Sequence, residues 1–408
     1  MNKKTSTFLK KNKSFSLLWS SQALSRFGDA LESVALVYLV LKITGSALAM
    51  GTVMLFSLVP NLILTPFVGV LADRYSRKKI MLISELARAI IILWVPIALS
   101  LKIITIEQLY LVAFLISIFE TCFETANTAC IPSLFTDQDE LSWGYSLKTS
   151  TQYIMQLLGV LIFGLVLNWI DFSGIFLLDS VTFIISAIAI LFMKIPHATK
   201  TNIEHKIKDF FTSLTEGFKY LKTKTIFIII TIAAAITNFI ITPLQVIVLY
   251  LSSNVFHIDQ SYIGLILAII LIGLALGNIL FQFINKLFTS RNLIALGILG
   301  VGVGFGIGGI IQNLYLFVGG LFILTIFTGI ISVKISTLFA EVIDNEFRGR
   351  AASVLNFFLL IGGPLSTGLV GFLINYIGVN NLLKFGGYTI IGTAMLLFIL
   401  WPKNQLTE

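Results

Sequence analysis

The chain has 408 residues, of which 57% are hydrophobic and only 12% are charged, and its mean hydropathy is +0.95. Soluble domains carry roughly 25% charged residues, so this composition excludes a protein whose surface faces water. The net charge of +8 does not indicate nucleic-acid binding. The cations lie in short loops between apolar stretches, and no soluble domain is long enough to present them to nucleic acid.

Apolar stretches of about 20 residues recur along the chain, and each could cross roughly 30 Å of hydrocarbon as an α-helix. An outer-membrane barrel is excluded, because its strands would be shorter and would alternate apolar with polar residues. The basic, polar start runs into a full-length span and does not predict a cleaved signal peptide. In chain order, the roughly twelve predicted membrane helices are 17–41, 48–70, 80–100, 107–130, 146–168, 174–193, 226–250, 260–284, 292–311, 314–338, 351–376 and 382–401.

The longest polar stretch divides the predicted helices into two sets. The predicted domains are an N-terminal six-helix half at 1–193, a cytoplasmic linker at 194–225 and a C-terminal six-helix half at 226–408. Within the linker, IKDFFTSLTEGFKYL has apolar residues near helical spacing, which is typical of an amphipathic helix lying on a membrane surface.

The distribution of Lys and Arg predicts the orientation, because cytoplasmic loops of membrane proteins are enriched in these residues. Nearly all of the loop cations fall on one side, and the opposite loops hold little beyond Lys42, Lys102 and Lys384. We therefore expect a multi-pass protein of the cytoplasmic (inner) membrane with both termini and the linker in the cytoplasm.

Two stretches of the halves resemble each other. Residues 146–170 align without gaps on residues 353–377, which pairs Gly164 with Gly371 and Asn168 with Asn375. An even number of predicted spans separates the two stretches, so they run in the same direction. Parallel halves of about six spans each are typical of one large transporter class, whose substrate site lies at the midplane.

The segment GVLADRYSRKK (69–79) resembles the loop between the second and third helices of the major facilitator superfamily, whose pattern is G-x-L-A-D-R-x-G-R-K. Ser76 stands where the pattern has glycine. Further matches are SRFGDALESVALVYLVLKITGSALAMG, IPSLF and RGRAASVLNFFLLIGGPLSTGLVG, and the resemblance covers nearly the whole chain. The branch it resembles most contains bacterial macrolide-efflux permeases and siderophore exporters. The matching loop residues are Gly69, Leu71, Ala72, Asp73, Arg74, Arg77 and Lys78.

The resemblance implies an all-α membrane protein with about twelve helices in two parallel, pseudo-repeated six-helix bundles. In the family, this loop holds the two halves together on the cytoplasmic side. Asp73 would then face the start of helix 11 near Arg348 and Arg350, and Arg77 would face an acid after helix 4. The alternative is that the loop cations only fix orientation. The expected gating residues are Gly69, Asp73, Arg74, Arg77, Arg348, Arg350, Gly363 and Pro364.

Helix 1 carries three charged residues inside the predicted membrane span. Arg26, Asp29 and Glu32 are three residues apart and lie along one face of a helix. Charges within a span usually mark a transport pathway or an ion pair. We expect Arg26 to neutralise Asp29 and to leave Glu32 as the less compensated acid. A local pair needed only for insertion is the alternative.

Helix 4 carries Glu120 and Glu124, with Asn127 following on the same side. Two buried acids four residues apart repel each other, which suits cation binding or proton exchange. The alternative is that one of them lies near the outer surface. Gln152, Asn238 and Gln245 are candidate cavity residues, although such side chains also connect helices without lining a site.

Two further groups of charge lie in the predicted spans of the first half. Glu85 and Arg88 are three residues apart in helix 3, and we expect them to pair or Arg88 to extend towards the interface. Asp179 in helix 6 has no partner evident from the sequence.

Together these features predict a secondary active efflux transporter that exports an amphiphilic, cationic small molecule such as a macrolide by proton-coupled alternating access. An exporter of a siderophore or other metabolite is the alternative within the class, and a channel or scramblase is the alternative outside it. No nucleotide-binding, metal-binding or catalytic motif is evident, so we expect no enzyme activity, no metal and no cofactor, with the proton gradient as the energy source. The expected partners are the substrate, protons and the bilayer, and we expect a monomer. A separate ATPase subunit, as in some family members, is left open.

Overall fold

The computed structural model describes residues 3–194, 212, 215–310 and 313–402. Within this part of the chain the backbone forms helices joined by short turns, and no strand occurs. The side chains of residues 3, 4, 6, 66, 70 and 72–74 lie outside the description.

The first half of the chain forms six helices, named α1 to α6. Gly45 ends α2 with a left-handed backbone (φ 64°), and Thr105 begins α5 with a capping box that includes Gln108. Asp137 caps α6 by accepting from the backbone N–H of Asp139. The helices are α1 (Lys3–Lys11), α2 (Lys13–Thr44), α3 (Ala47–Arg74), α4 (Arg77–Ser100), α5 (Ile106–Cys130) and α6 (Gln138–Phe192).

The second half begins with α7 (215–223), which confirms a helix in part of the predicted amphipathic linker. The predicted span 226–250 is interrupted at Pro243, because proline has no N–H to donate to the helix ladder. The remaining helices are α8 (Thr225–Ile241), α9 (Leu244–Tyr250), α10 (Ile263–Ile284), α11 (Ser290–Ile310), α12 (Leu314–Val342), α13 (Arg348–Ile377) and α14 (Val379–Leu400).

Ten helices of the described chain are long and apolar enough to cross a membrane. One of them, α6, has 55 residues, and the backbone of Asp171 (φ 53°, ψ −178°) divides it into α6a (138–170) and α6b (172–192). Each part is long enough to span. Helix α2 has 32 residues and falls outside the ten because three charges lie within its apolar stretch. With these two additions the described helices provide the twelve predicted spans.

The chain divides into two compact units. Unit 1 comprises Met1–Gly45, Phe56–Lys208 and Gln260–Gly264, and unit 2 comprises Ser46–Leu55, Asp209–Asp259 and Leu265–Glu408. The predicted domain boundary lies in the linker 194–225, most of which is outside the described residues, so those exact boundaries stay a prediction.

The pseudo-repeat detected in the sequence has a counterpart in the packing of each unit. In unit 1, a Cβ at Gly164 of α6a would overlap the carbonyl oxygens of Gln260 and Ser261. In unit 2, a Cβ at Gly371 of α13 would overlap the backbone of Ala47 and Leu48 at the start of α3. The aligned glycines therefore serve the same purpose, since each lets the first turn of another helix approach closely.

The packing of unit 1 brings together the helices that carry the charged residues. Helix α2 packs along α6, and α4 packs against both α5 and α6. In unit 2, α11 packs between α12 and α14, and α8 contacts α13 and α14. Apolar side chains fill these contacts, and the charged side chains of the spans are concentrated in unit 1.

Candidate functional site

A cavity of about 480 Å³ lies within unit 1 between α2, α4, α5 and α6a. Its wall includes all five charged residues predicted for helices 1 and 4, which are α2 and α5 of the structure, together with the predicted Gln152. The lining residues are Arg26, Asp29, Ala30, Glu32, Ser33, Arg88, Ile116, Glu120, Glu124, Thr149, Gln152, Tyr153 and Gln156.

Arg26 lies at the centre of the acids in the cavity wall. Its guanidinium is 3.4 Å from Asp29 and 3.3 Å from Glu120, and it also pairs with Glu124. Lys148 of α6a lies 3.8 Å from Glu124. The pairing of Arg26 with Asp29 is as expected, but Glu120 and Glu124 do not form an isolated acid pair, because Arg26 lies between the helices and offsets their repulsion.

Asp29 has a second cationic partner that the sequence did not reveal. Nη2 of Arg88 on α4 lies 2.5 Å from Oδ1 of Asp29, whereas Nη1 of Arg88 is 3.9 Å from Glu85. Arg88 is only 3% exposed and lies over the ring of Phe183 at 4.0 Å. Of the two alternatives expected for Arg88, pairing with Glu85 is therefore observed. Extension of Arg88 to the interface is wrong, because its charge is neutralised inside the unit and its planar group stacks on an aromatic ring.

Glu85 is completely buried behind the cavity wall. One oxygen of its carboxylate accepts from Gln22 Nε2 at 3.0 Å and from Ser186 Oγ at 2.8 Å, and the other oxygen is the one nearest to Arg88. These neutral donors from α2 and α6b satisfy one side of the acid, so Glu85 is held in a fixed orientation.

Glu32 differs from the other acids of the cavity wall. It lies in the wall and is 9% exposed. No described residue lies within ion-pair or hydrogen-bond distance of its carboxylate, in contrast to Asp29, Glu120 and Glu124. Glu32 therefore carries the carboxylate that a cation or a proton can reach without first breaking a protein contact.

Counting the charges of this region shows an excess of acid. Three cationic side chains, those of Arg26, Arg88 and Lys148, face six carboxyl groups. No group of three or more His, Cys, Asp or Glu among the described residues could hold a metal ion. The excess of carboxyl groups over cationic side chains is suited to attracting protons or an organic cation. The carboxyl groups are those of Asp29, Glu32, Glu85, Glu120, Glu124 and Asp179.

The other predicted binding residues lie outside this cavity wall. Asn127 is buried beside a small space of about 10 Å³, where its amide has no hydrogen-bond partner among the described residues. Asn238 donates to the carbonyl oxygen of Leu359 at 2.8 Å and connects α8 to α13 within unit 2. Gln245 lies in α9 and also belongs to unit 2. None of the three contributes to the charged cavity.

Unit 2 contains a cavity of different character. Its volume is about 670 Å³, and α8, α9, α11, α13 and α14 form its wall. Phe239, Phe305, Phe358 and Phe385 contribute aromatic surface. Ser366 and Thr389 are the polar side chains among its lining residues, and no charged side chain lines it. This cavity can accept apolar groups but offers no ionic contact.

The predicted gating residues are distributed among α3, α4 and α13. The side chains of Asp73 and Arg74 lie outside the described residues, so their predicted contacts stay a prediction. Arg77 Nη1 donates to the carbonyl oxygen of Ala129 at 2.8 Å, at the end of α5. Gly69 lies in α3, and a Cβ there would meet open space.

At the start of α13, the two predicted arginines have partners within unit 2. Arg348 donates to the carbonyl oxygen of Ala340, and Arg350 lies 3.3 Å from Glu216 of α7. The sequence did not predict that α7 would provide this acid. Gly363 and Pro364 are buried within α13, whose helix continues through the proline.

Comparison with known proteins identifies the family to which this architecture belongs. The chain matches the model of the Major Facilitator Superfamily over residues 18–253 and 229–406. It is 22% identical over 388 residues to macrolide efflux protein A of Streptococcus pyogenes, covering 93% of this chain and 94% of that protein. It is 24% identical over 371 residues to an uncharacterised MFS-type transporter of Bacillus subtilis, covering 89% of this chain and 87% of that one.

Solved structures show the same fold. A nucleoside transporter, NupG, superposes with a TM-score of 0.73 at 14% identity, covering 95% of this chain and 100% of that chain. A transporter of the POT family gives a TM-score of 0.72 at 16% identity and covers 96% of both chains. The family match extends over nearly all of the chain, and the predicted helices and the structural neighbours agree with it. The chain therefore belongs to the Major Facilitator Superfamily and is a multi-pass membrane transporter.

Proposed function

We propose that this transporter is a proton-coupled exporter of amphiphilic, cationic small molecules of the macrolide type, and that it works by alternating access in the cytoplasmic membrane. Both termini are cytoplasmic, the protein acts as a monomer, and the proton gradient supplies the energy. The macrolide efflux relatives support the direction of transport and the substrate class, although their identity to this chain is low.

The observation that carries the proposal is the acid excess of the unit 1 cavity, and above all Glu32. A cationic amine that enters the cavity finds a carboxylate that has no cation within ion-pair distance among the described residues. When the substrate leaves on the other side, a proton can neutralise the same carboxylate for the return step. Binding the cation and the proton in turn at one site couples the two movements.

The cavity is less suited to an acidic solute such as an anionic siderophore. Even without the buried Asp179, five carboxyl groups outnumber the three cations, so an anion would meet net repulsion. Export of a neutral metabolite remains the alternative within the class.

The proposal can be tested in a sensitive host that lacks its own efflux pumps. Cells expressing the protein should become resistant to erythromycin and tetraphenylphosphonium and should accumulate less of each, and a protonophore should abolish the difference. Unchanged accumulation of both cations, together with reduced accumulation of a neutral or anionic solute, would refute the cationic substrate class.

The gating proposal concerns Asp73, which would favour the state closed to the cytoplasm by pairing with Arg348 or Arg350. Asp73→Asn keeps the side-chain volume and removes the charge, so export should fall several-fold at equal expression. Cysteine labelling on the cytoplasmic side should be unchanged, because an acid contributes little to orientation. If Asp73→Asn leaves both export and labelling unchanged, only the orienting function of the loop remains.

A further inference from the structure

Asp179 is a fully buried acid that the proposed cavity chemistry does not use. It lies in α6b with no exposed surface. Its Oδ1 accepts from the hydroxyl of Thr182 at 3.2 Å, and its Oδ2 has no hydrogen-bond partner among the described residues. No described cation lies within ion-pair distance of it. An ionised carboxylate in such a place is very costly, so a buried acid of this kind is expected to hold a proton.

The fold makes specific room for this acid. Gly28 of α2 lies against it, and a Cβ at Gly28 would overlap Asp179 Oδ1 and lie 2.7 Å from Thr182 Oγ1. Gly28 is the residue before Asp29, so the glycine brings the two acids to neighbouring positions on either side of α2. The close approach of α2 and α6b therefore places Asp179 directly behind the cavity wall.

The face of α6b that carries Asp179 also carries the contacts of Arg88. Residues four apart on a helix are neighbours on its surface, which places Phe183 next to Asp179. The guanidinium of Arg88 stacks on Phe183. Its Nε is buried and has no hydrogen-bond partner among the described residues. A donor of Arg88 and an acceptor of Asp179 are thus both unsatisfied in the same layer of unit 1.

We propose that Asp29 and Asp179 share Arg88, and that Asp179 binds a proton whenever Arg88 is paired with Asp29. In the described arrangement, Arg88 pairs with ionised Asp29 and Asp179 keeps its proton. When a proton or a cationic substrate neutralises Asp29, Arg88 moves its ion pair to Asp179. The O–H bond of Asp179 then breaks and its proton passes to solvent water. The summed charge of Arg88, Asp179, Asp29 and whatever neutralises Asp29 stays at zero.

This exchange links cation binding in the cavity to proton release behind the cavity. Its role in transport rests on the proposed function. The charged groups that surround Asp179 are few. Asp29 and Glu32 approach from α2, and Arg88 approaches from α4, where it also contacts Glu85. Glu85 is held by neutral donors on one oxygen, so Arg88 is the cation for which Asp29 and Asp179 compete.

Infrared difference spectroscopy of the purified protein at neutral pH tests the exchange without any transported molecule. The C=O stretching band of a protonated carboxyl should lose one component in Asp179→Asn. In the Asp29→Asn background, Arg88 is free to pair with Asp179, so the further change Asp179→Asn should remove no such component. Asp137→Asn at the start of α6 serves as the control and should leave the band unchanged in both backgrounds.

Two results would overturn the proposal. If Asp179→Asn removes no component from the wild-type spectrum, Asp179 does not hold a proton. If it removes the same component from both backgrounds, Asp179 is protonated whatever Arg88 contacts, and there is no exchange. Asp29→Ser provides a second neutral background if Asp29→Asn does not fold. Because these spectra need no substrate, they decide the exchange separately from the export assays, which decide the proposed function.

Discussion

The cavities of the two units have nearly opposite chemistry. The unit 1 cavity is bounded by Arg26, Asp29, Glu32, Arg88 and other charged side chains, whereas the larger unit 2 cavity is lined by aromatic and aliphatic groups. Two halves of similar helix topology therefore differ in the chemistry of their cavities. Unit 1 has the groups needed to bind ions and protons, and unit 2 offers the apolar surface that an amphiphilic molecule needs.

The contrast also affects stability. The paired ionic groups inside unit 1 depend on one another, because removing one charge of a pair leaves its buried partner without compensation. The apolar cavity of unit 2 has no such dependence. Substitutions of similar size should therefore have larger effects in unit 1, and the following predictions test this difference in decreasing order of expected effect.

The largest effect is expected for Arg88→Leu, which removes the cation beside Asp29, Glu85 and Asp179. The free energy of unfolding in detergent should fall by about 3–5 kcal/mol, because breaking a buried ion pair leaves an uncompensated charge. The matched change in unit 2 is Arg291→Leu. Its guanidinium stacks on Phe398 at 3.8 Å and donates to the carbonyl oxygen of Phe398, without an acid partner in the described structure. These contacts are exposed, so their loss should cost only about 1–2 kcal/mol. Equal losses would contradict the contrast between the units.

An intermediate effect is expected for Gly28→Ala, which forces a methyl group against Asp179 and Thr182. Overpacking of this kind typically destabilises by about 1–3 kcal/mol. In unit 2, a Cβ at Gly392 of α14 would meet no atom within 4 Å. Gly392→Ala should therefore be neutral or stabilise by up to about 1 kcal/mol through helix propensity. Thermal unfolding of both variants against the wild type measures the difference, and a stable Gly28→Ala protein would show that α2 and α6b can separate without cost.

The smallest effect on stability is expected for Glu32→Leu. No described residue pairs with this carboxylate, so its removal breaks no contact and ends the burial of an acid. The unfolding free energy should stay the same or rise, while export is lost. A marked loss of stability would instead assign Glu32 a structural role and would remove the main support for its role in coupling.

Much of this arrangement could be predicted from the sequence because the information is local. The three-residue spacing of Arg26, Asp29 and Glu32 fixes their common helix face, and run lengths of apolar residues fix the number of spans. The division of α6 at Asp171 also falls at the predicted loop between two spans.

The sequence could not predict which helices meet. The pairing of Arg88 with Asp29 and the position of Asp179 behind Gly28 depend on the packing of α2, α4 and α6b, which local periodicity does not specify. A signal was nevertheless present, since Arg88 and Asp179 are charged residues within apolar spans and such residues require partners. Lys148 was missed because it lies near the end of its predicted span, where a lysine is unremarkable.

The central claim is that a carboxylate of the unit 1 cavity couples export to protons, and Glu32→Gln in proteoliposomes tests it most directly. Export of erythromycin driven by an imposed pH gradient should fall at least about tenfold in Glu32→Gln, whereas Thr389→Val in the unit 2 cavity should keep the full dependence on the gradient. Erythromycin export by Glu32→Gln at the wild-type rate, with the same response to the pH gradient, would contradict the account.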